Sequence, residues 1–133
     1  MTASPRIVLC VDDDPDDRDI ICYTINKIDP SFKVLHAADG FEALDLLSKA
    51  KLSKELPCLV ILDINMPGLD GKKTLAVIKE DEVLNEVPVV IFSTSSHPQD
   101  IEYCSKYGVE LVTKPDNIQT VHNEVQKLLR HCD

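Results

Sequence analysis

The chain has 133 residues, 44% hydrophobic and 28% charged, with a net charge of −9. That is the length of one globular domain with room for a core, and its acidity argues against non-specific nucleic-acid binding, because phosphates would be repelled. No apolar run approaches the roughly 18 residues of a membrane span and no signal-like apolar segment follows Met1, so the expectation is a single cytoplasmic domain over 1–133 without membrane or nucleic-acid partners.

Taken in order, Arg6 to Val11 reads as a first strand that ends on Asp12, Asp13 and Asp14. Asp14 followed by Pro15 has the form of an N-cap and first-turn proline. Asp16 and Asp17 follow at the positive end of the helix dipole, so Asp14, Asp16 and Asp17 are expected to cap the helix and face water. Ile20, Ile21, Thr24, Ile25 and Ile28 share one helical face up to a break at Asp29-Pro30. Lys33 to Ala37 is a second strand. Asp39-Gly40 opens a helix whose Phe41, Leu44 and Leu47 are expected to face the core.

The central strand, Cys58 to Leu62, stops on Asp63 where Pro67 and Gly68 impose a turn. A third helix carries Leu75 and Ile78 and fades near Glu82. Val87 to Phe92 is a fourth apolar strand, running into Ser93-Thr94-Ser95-Ser96. A helix from about Pro98 to Tyr107 stops at Gly108. Glu110 to Thr113 forms a fifth strand ending at Lys114-Pro115. The last helix, about Asn117 to His131, sets Ile118, Val121, Val125, Leu128 and Leu129 on one stripe. Five β-α units with apolar strands specify an α/β fold: a flavodoxin-like, doubly wound, five-stranded parallel sheet of order 2-1-3-4-5, with helices on both faces.

In that order Asp12, Asp13 and Asp63 share neighbouring strand ends. Two carboxylates about 4 Å apart repel by ~1 kcal/mol in water and ~4 kcal/mol at a surface-like dielectric. Gathering three favours a cation, and carboxylates plus water are what Mg²⁺ takes. Lys114, on the same sheet edge, would neutralise part of the cluster and could bind an incoming anion. Metal, carboxylate, hydroxyl and ammonium together suit phosphoryl transfer, with Asp63 the carboxylate placed to act as nucleophile.

Cys10, Cys22, Cys58, Cys104 and Cys132 are odd in number and scattered without a C-x-x-C pair. Neither a zinc site nor a disulfide framework is expected, and a reducing compartment is the simplest setting. His36 and His97 lack a partner at ligand spacing, and no G-x-x-x-x-G-K-[ST] loop occurs.

Four motifs in sequence carry a resemblance: Val11-Asp12-Asp13-Asp14, Leu62-Asp63-Ile64-Asn65-Met66-Pro67-Gly68-Leu69-Asp70-Gly71, Pro88 to Ser96, and Lys114-Pro115. Each is common alone; four in order, each at a strand's carboxyl end, are specific. The chain resembles the receiver domain of two-component response regulators over essentially its whole length. The resemblance implies that Asp63 accepts the phosphoryl group from a sensor histidine kinase, and that Asp12 and Asp13 help to hold Mg²⁺. It further implies a metal-binding backbone carbonyl at Asn65, a switch hydroxyl at Ser93, a counter-ion at Lys114 and a cis Lys114–Pro115 bond. Ser93 stands where threonine is more usual, and Leu111 stands where the family commonly has tyrosine or phenylalanine.

The function expected is that of a stand-alone receiver in a phosphorelay, switching contacts with a downstream protein through the helix 4, strand 5 and helix 5 face. It would not be an enzyme beyond its own phosphorylation and dephosphorylation. The alternative is a small Mg²⁺-dependent phosphatase with an aspartyl-phosphate intermediate, for which five β-α units leave little room for a substrate pocket. A flavin carrier fits worse, because Asp12-Asp13-Asp14 would repel its phosphate. A homodimer through the last helices stays open, although the helix 5 stripe is accounted for by the core.

Overall fold

The computed structural model describes residues 6–66, 70–94 and 97–132. The turn expected at Pro67-Gly68 and the hydroxyls of Ser95 and Ser96 lie outside them. Five strands, β1 (Ile7–Val11), β2 (Lys33–Ala37), β3 (Leu59–Leu62), β4 (Val89–Ser93) and β5 (Leu111–Thr113), alternate with five helices. These are α1 (Pro15–Ile28), α2 (Gly40–Ser53), α3 (Gly71–Glu80), α4 (Pro98–Lys106) and α5 (Ile118–Leu128), and a 3-10 turn, Leu129–Cys132, follows the last. The sheet is parallel with order β2-β1-β3-β4-β5, as the sequence implies.

Successive side chains of a strand point to opposite faces, and the core divides accordingly. Leu9, Val11, Val60, Leu62 and Ile91 pack with Ala43, Leu47, Leu75, Ile78 and Cys104 of α2, α3 and α4. Val8, Cys10, Leu59, Ile61, Val90 and Phe92 pack with Ile21, Ile25, Val125 and Leu128 of α1 and α5. Full burial of each such aliphatic side chain contributes about 1.5–3 kcal/mol, so β1, β3 and β4 are held from both sides. Their carboxyl ends are thereby fixed, which is what the site requires.

Helix starts follow the sequence signals. The Asp14 carboxylate accepts from the Asp16 N–H at 2.9 Å, Asp39 from Glu42 at 2.8 Å, Asp70 from Lys73 at 2.9 Å and Asn117 from Thr120 at 2.8 Å. Gly108 takes φ +69° after α4, the left-handed turn expected of it.

Four expectations are corrected. Phe41 is 66% exposed; the buried stripe of α2 is Gly40, Ala43 and Leu47, of which the small Gly40 and Ala43 let the helix approach the sheet and turn Phe41 outward. Ile118 is 70% exposed, and α5 yields to a 3-10 turn at Leu129, so the buried stripe begins at the half-buried Val121. No cis peptide occurs among the described residues; Lys114–Pro115 is trans, the two isomers of an X-Pro bond being close enough in energy for local packing to select either. Finally, Cys58 and Cys132 are joined by a disulfide. The topology brings the turn after α5 beneath the amino end of β3, a juxtaposition that a sequence separation of 74 conceals.

Candidate functional site

Strand register assembles the site. Val11 pairs with Leu62, so Asp12 and Asp63, each one residue further on, leave adjacent strands side by side. The Asp12 N–H donates to the Ala37 carbonyl and that of Asp63 to the Val11 carbonyl, both at 3.0 Å. Ser93 pairs with Thr113 across β4 and β5, and the Lys114 N–H donates to the Ser93 carbonyl at 2.8 Å. These bonds carry Lys114 onto the same edge as the two acids.

The side chains converge there. The Lys114 ammonium donates to Asp12 Oδ2 at 2.5 Å, to Asp17 Oδ2 at 2.9 Å and to Asp63 Oδ2 at 3.1 Å. An ammonium has three donors, and all three are in use. Asp12, Asp63 and Ser93 are buried while Asp13 is exposed at the rim. Carboxylate oxygens of Asp12, Asp13 and Asp63 all lie within 4.8 Å of one another. The second oxygens of the buried pair are tied to the backbone: Asp12 Oδ1 accepts from the Asp14 N–H at 3.0 Å, and Asp63 Oδ1 from the Asn65 N–H at 3.1 Å.

Electrostatics follow from this crowding. Burial lifts the Asp12 carboxyl above the usual range, and the neighbouring Asp63 charge adds to it, against the hydrogen bonds from Lys114 and Asp14. For Lys114 burial works the other way, but hydrogen bonds to Asp12 and Asp17 and the charge of Asp63 outweigh it and raise the ammonium above its ordinary value. Three carboxylates thus share one ammonium, with Asp13 beside two of them at the rim. A hard divalent cation fits such a donor set of oxygens, and would relieve the charge that Lys114 alone leaves uncompensated.

The sequence missed two contributors. Asp17 was expected to face water as a capping acid, yet it holds Lys114 from the α1 side; its place in an acidic first turn concealed that role. Gly71 stands in the sequence only as the last residue of a motif, with no role of its own. A Cβ there would lie 2.1 Å from the Asp63 carbonyl oxygen and 2.5 Å from Ile64 Cα, so α3 can meet the Asp63 loop only through glycine. The Gly71 N–H donates to the Ile64 carbonyl at 3.0 Å across that contact.

Ser93 is the last residue of β4 and fully buried, whereas the neighbouring Thr94 is exposed. Leu111, half-buried at the start of β5, packs against the same core cluster as Tyr103 of α4 and Tyr107 at the end of that helix. Those rings meet edge-on with centroids 5.3 Å apart. The Tyr103 hydroxyl donates to the Lys72 carbonyl at 2.7 Å. Burial first, and the adjoining Tyr107 next, push that phenol up to about 12.

Comparison with known proteins agrees with this geometry. A family model for the response regulator receiver domain matches residues 8–126. Response regulator Rcp1 of Synechocystis sp. is 27% identical over 125 residues, which make up 92% of this chain and 85% of that protein. The crystal structure of the phosphorylated cyanobacterial phytochrome response regulator RcpA superposes with a TM-score of 0.86 at 29% identity, covering 94% of this chain and 91% of that one. That of Mn²⁺-bound Rcp1 gives 0.83 at 26%, covering 94% and 92%. A fold, a strand-end acidic cluster with its lysine and a family match over most of the sequence point one way: the chain belongs to the response regulator receiver domain family, a signalling module of two-component phosphorelays.

Proposed function

We propose that Asp63 is the phospho-acceptor, that Asp12, Asp13, Asp63 and the Asn65 carbonyl hold Mg²⁺, and that Ser93 and Lys114 bind the transferred group. The observation that carries this is the bridging of Asp12 and Asp63 by the Lys114 ammonium at the carboxyl edge of the sheet. An Asp63 carboxylate oxygen attacks the phosphorus of a kinase phosphohistidine, the P–N bond breaks, and the imidazole leaves with a proton. The metal, when bound, supplies charge neutralisation for that transfer. Lys114 loses its acceptor at Asp63 Oδ2 as that oxygen becomes part of the acyl phosphate, and its N–H turns to a phosphoryl oxygen. Phosphorylation adds about −1.5 to −2 charge, and Lys114 offsets part of it while the Ser93 hydroxyl donates to the group.

The chain then acts as a cytoplasmic receiver, phosphorylated by a sensor histidine kinase and read by a downstream protein as a shift between two conformations. The α4, β5 and α5 face is the proposed output surface. Intact mass after incubation with acetyl phosphate and Mg²⁺ tests the reading. The expected result is a labile phosphate adduct that needs Mg²⁺ and disappears in Asp63→Asn. An adduct that survives in that variant would assign the chemistry elsewhere.

A further inference from the structure

The disulfide joins Cα atoms 5.0 Å apart, within the usual range. Cys58 precedes β3 and Cys132 closes the turn after α5, so the bond fastens the C-terminal helix to the amino end of the strand that leads to Asp63. Both residues are half-buried, whereas Cys10 and Cys104 are sealed in the core. Burial pushes the Cys10 thiol up to about 12 and raises that of Cys104 as well, so neither supplies a thiolate readily near neutral pH. An oxidant that meets the folded chain therefore finds Cys58 and Cys132 as the solvent-reachable pair within bonding distance. Cys22, the third free cysteine, is half-buried on α1 with Asn26 donating to its sulfur at 3.5 Å.

The thiol form is provided for as well. Cys58 Sγ lies 3.3 Å from the Ile7 carbonyl oxygen, an acceptor in place once the bond opens. That oxygen also keeps the Cys58 backbone N–H at 2.8 Å, so the strand foot holds its register in either state. Val125, Leu128 and Leu129 remain buried among Val8, Leu59 and Ile61, which supplies packing for α5 without the covalent tie. Three unpaired cysteines in the same chain are not the pattern of a disulfide scaffold.

We propose that Cys58 and Cys132 form a reversible thiol–disulfide site, oxidised by a small-molecule disulfide such as glutathione disulfide, that fastens the end of α5 when oxidised and releases it when reduced. One cysteine gives up its proton and its thiolate attacks a sulfur of the oxidant; the oxidant's S–S bond breaks and one glutathione thiolate leaves. The second cysteine thiolate attacks the mixed disulfide, closing the Cys58–Cys132 bond and expelling the second glutathione. Two electrons and two protons pass to the oxidant, which ends as two thiols. The proposal stands apart from phosphoryl acceptance, because the bond lies at the opposite edge of the sheet from Asp63.

The test equilibrates the full chain across ratios of reduced glutathione to glutathione disulfide, alkylates it under denaturing quench, and maps the labels. Amide exchange of residues 125–132 is followed in the same samples. We expect two labels to be lost together on Cys58 and Cys132, with Cys10, Cys22 and Cys104 unchanged. Exchange in 125–132 should slow in the oxidised form, and the thermal midpoint should rise by roughly 10–15 °C for a loop of 74 residues. Cys58→Ser and Cys132→Ser, close in size to the native residue, should each abolish the redox dependence of exchange. The proposal is overturned by a chain that remains fully thiol under glutathione disulfide, or by a stable glutathione adduct in place of the internal bond. It is equally overturned by a bond that excess reduced glutathione cannot open in the folded chain, or by exchange in 125–132 that is identical in the two states.

Discussion

Gly71→Ala is the most demanding single-atom test of how the site is built. The added Cβ would stand 2.1 Å from the Asp63 carbonyl oxygen, 2.5 Å from Ile64 Cα and 2.8 Å from the Asp63 carbonyl carbon. All three are backbone atoms, so no side chain can swing away, and relief requires more than an ångström of movement between α3 and the Asp63 loop. Overpacking of this kind costs about 1–3 kcal/mol. Losing the Gly71 to Ile64 hydrogen bond adds about 1 kcal/mol, and the better helix propensity of alanine returns at most about 1 kcal/mol. With that return in full, the net expectation is roughly 1–3 kcal/mol. With an unfolding entropy of about 2.1 cal/mol/K per residue, that lowers Tm by about 4–11 °C. Because the displaced backbone carries Asp63, Mg²⁺ affinity should fall as well, read by titration of the same protein. Gly108→Ala is the control: its φ is +69° but nothing lies within 4 Å of its Cβ position, so only about 1 kcal/mol of backbone strain is expected. A Gly71→Ala protein that melts within two or so degrees of wild type, with unchanged metal affinity, would refute the close-approach argument.

Lys114→Ala leaves Asp12, Asp17 and Asp63 without their shared ammonium. The metal-free variant should lose about 2–3 kcal/mol, and Mg²⁺ should stabilise it more than wild type, since the competing cation is gone; an equal or smaller metal-induced rise in Tm would count against that balance. Asp81 is held at about 2 by the Leu84 N–H, the Lys51 ammonium and the Val83 N–H. Its folded-state value is depressed, so its contribution to stability is complete above the ordinary carboxylate range and disappears as pH falls through about 2. Carboxyl-carbon NMR should place its midpoint there, and a midpoint near 4 would contradict the geometry. Lys54 ends α2 at φ 61°; Lys54→Gly should stabilise by about 0.5–1 kcal/mol in denaturant unfolding, and a loss would show that the lysine side chain supports the cap.

The sheet and its helices were readable because apolar strands, aspartate caps and Gly108 write local signals that the tertiary structure obeys. The meeting of Asp12, Asp63 and Lys114 on one sheet edge was readable for a related reason, since a strand that stops on a charged residue announces the edge to which it delivers it. What stayed hidden depended on distance in the chain or on small residues. Asp17 looks like any first-turn acid until Lys114 arrives from 97 positions away. Phe41 outranks Ala43 in hydrophobicity, but helix-to-sheet approach is decided by size as well as by apolarity. The partner of Cys58 lies across three strands and three helices, and odd scattered cysteines give no hint of a pairing.

The span of positions that Lys114 closes has a consequence for the order of events during synthesis. The ammonium sits 102 residues from Asp12 and 51 from Asp63, and it reaches them only when β5 has docked on β4. A nascent chain that has emerged as far as β4 holds its acids at adjoining strand ends without that counter-charge, and contacts of such high sequence separation form late. On the proposed reading, in which Lys114 binds the transferred group, competence for phosphoryl transfer would arrive with the final strand, and a chain ending before β5 would hold its acids without their shared ammonium.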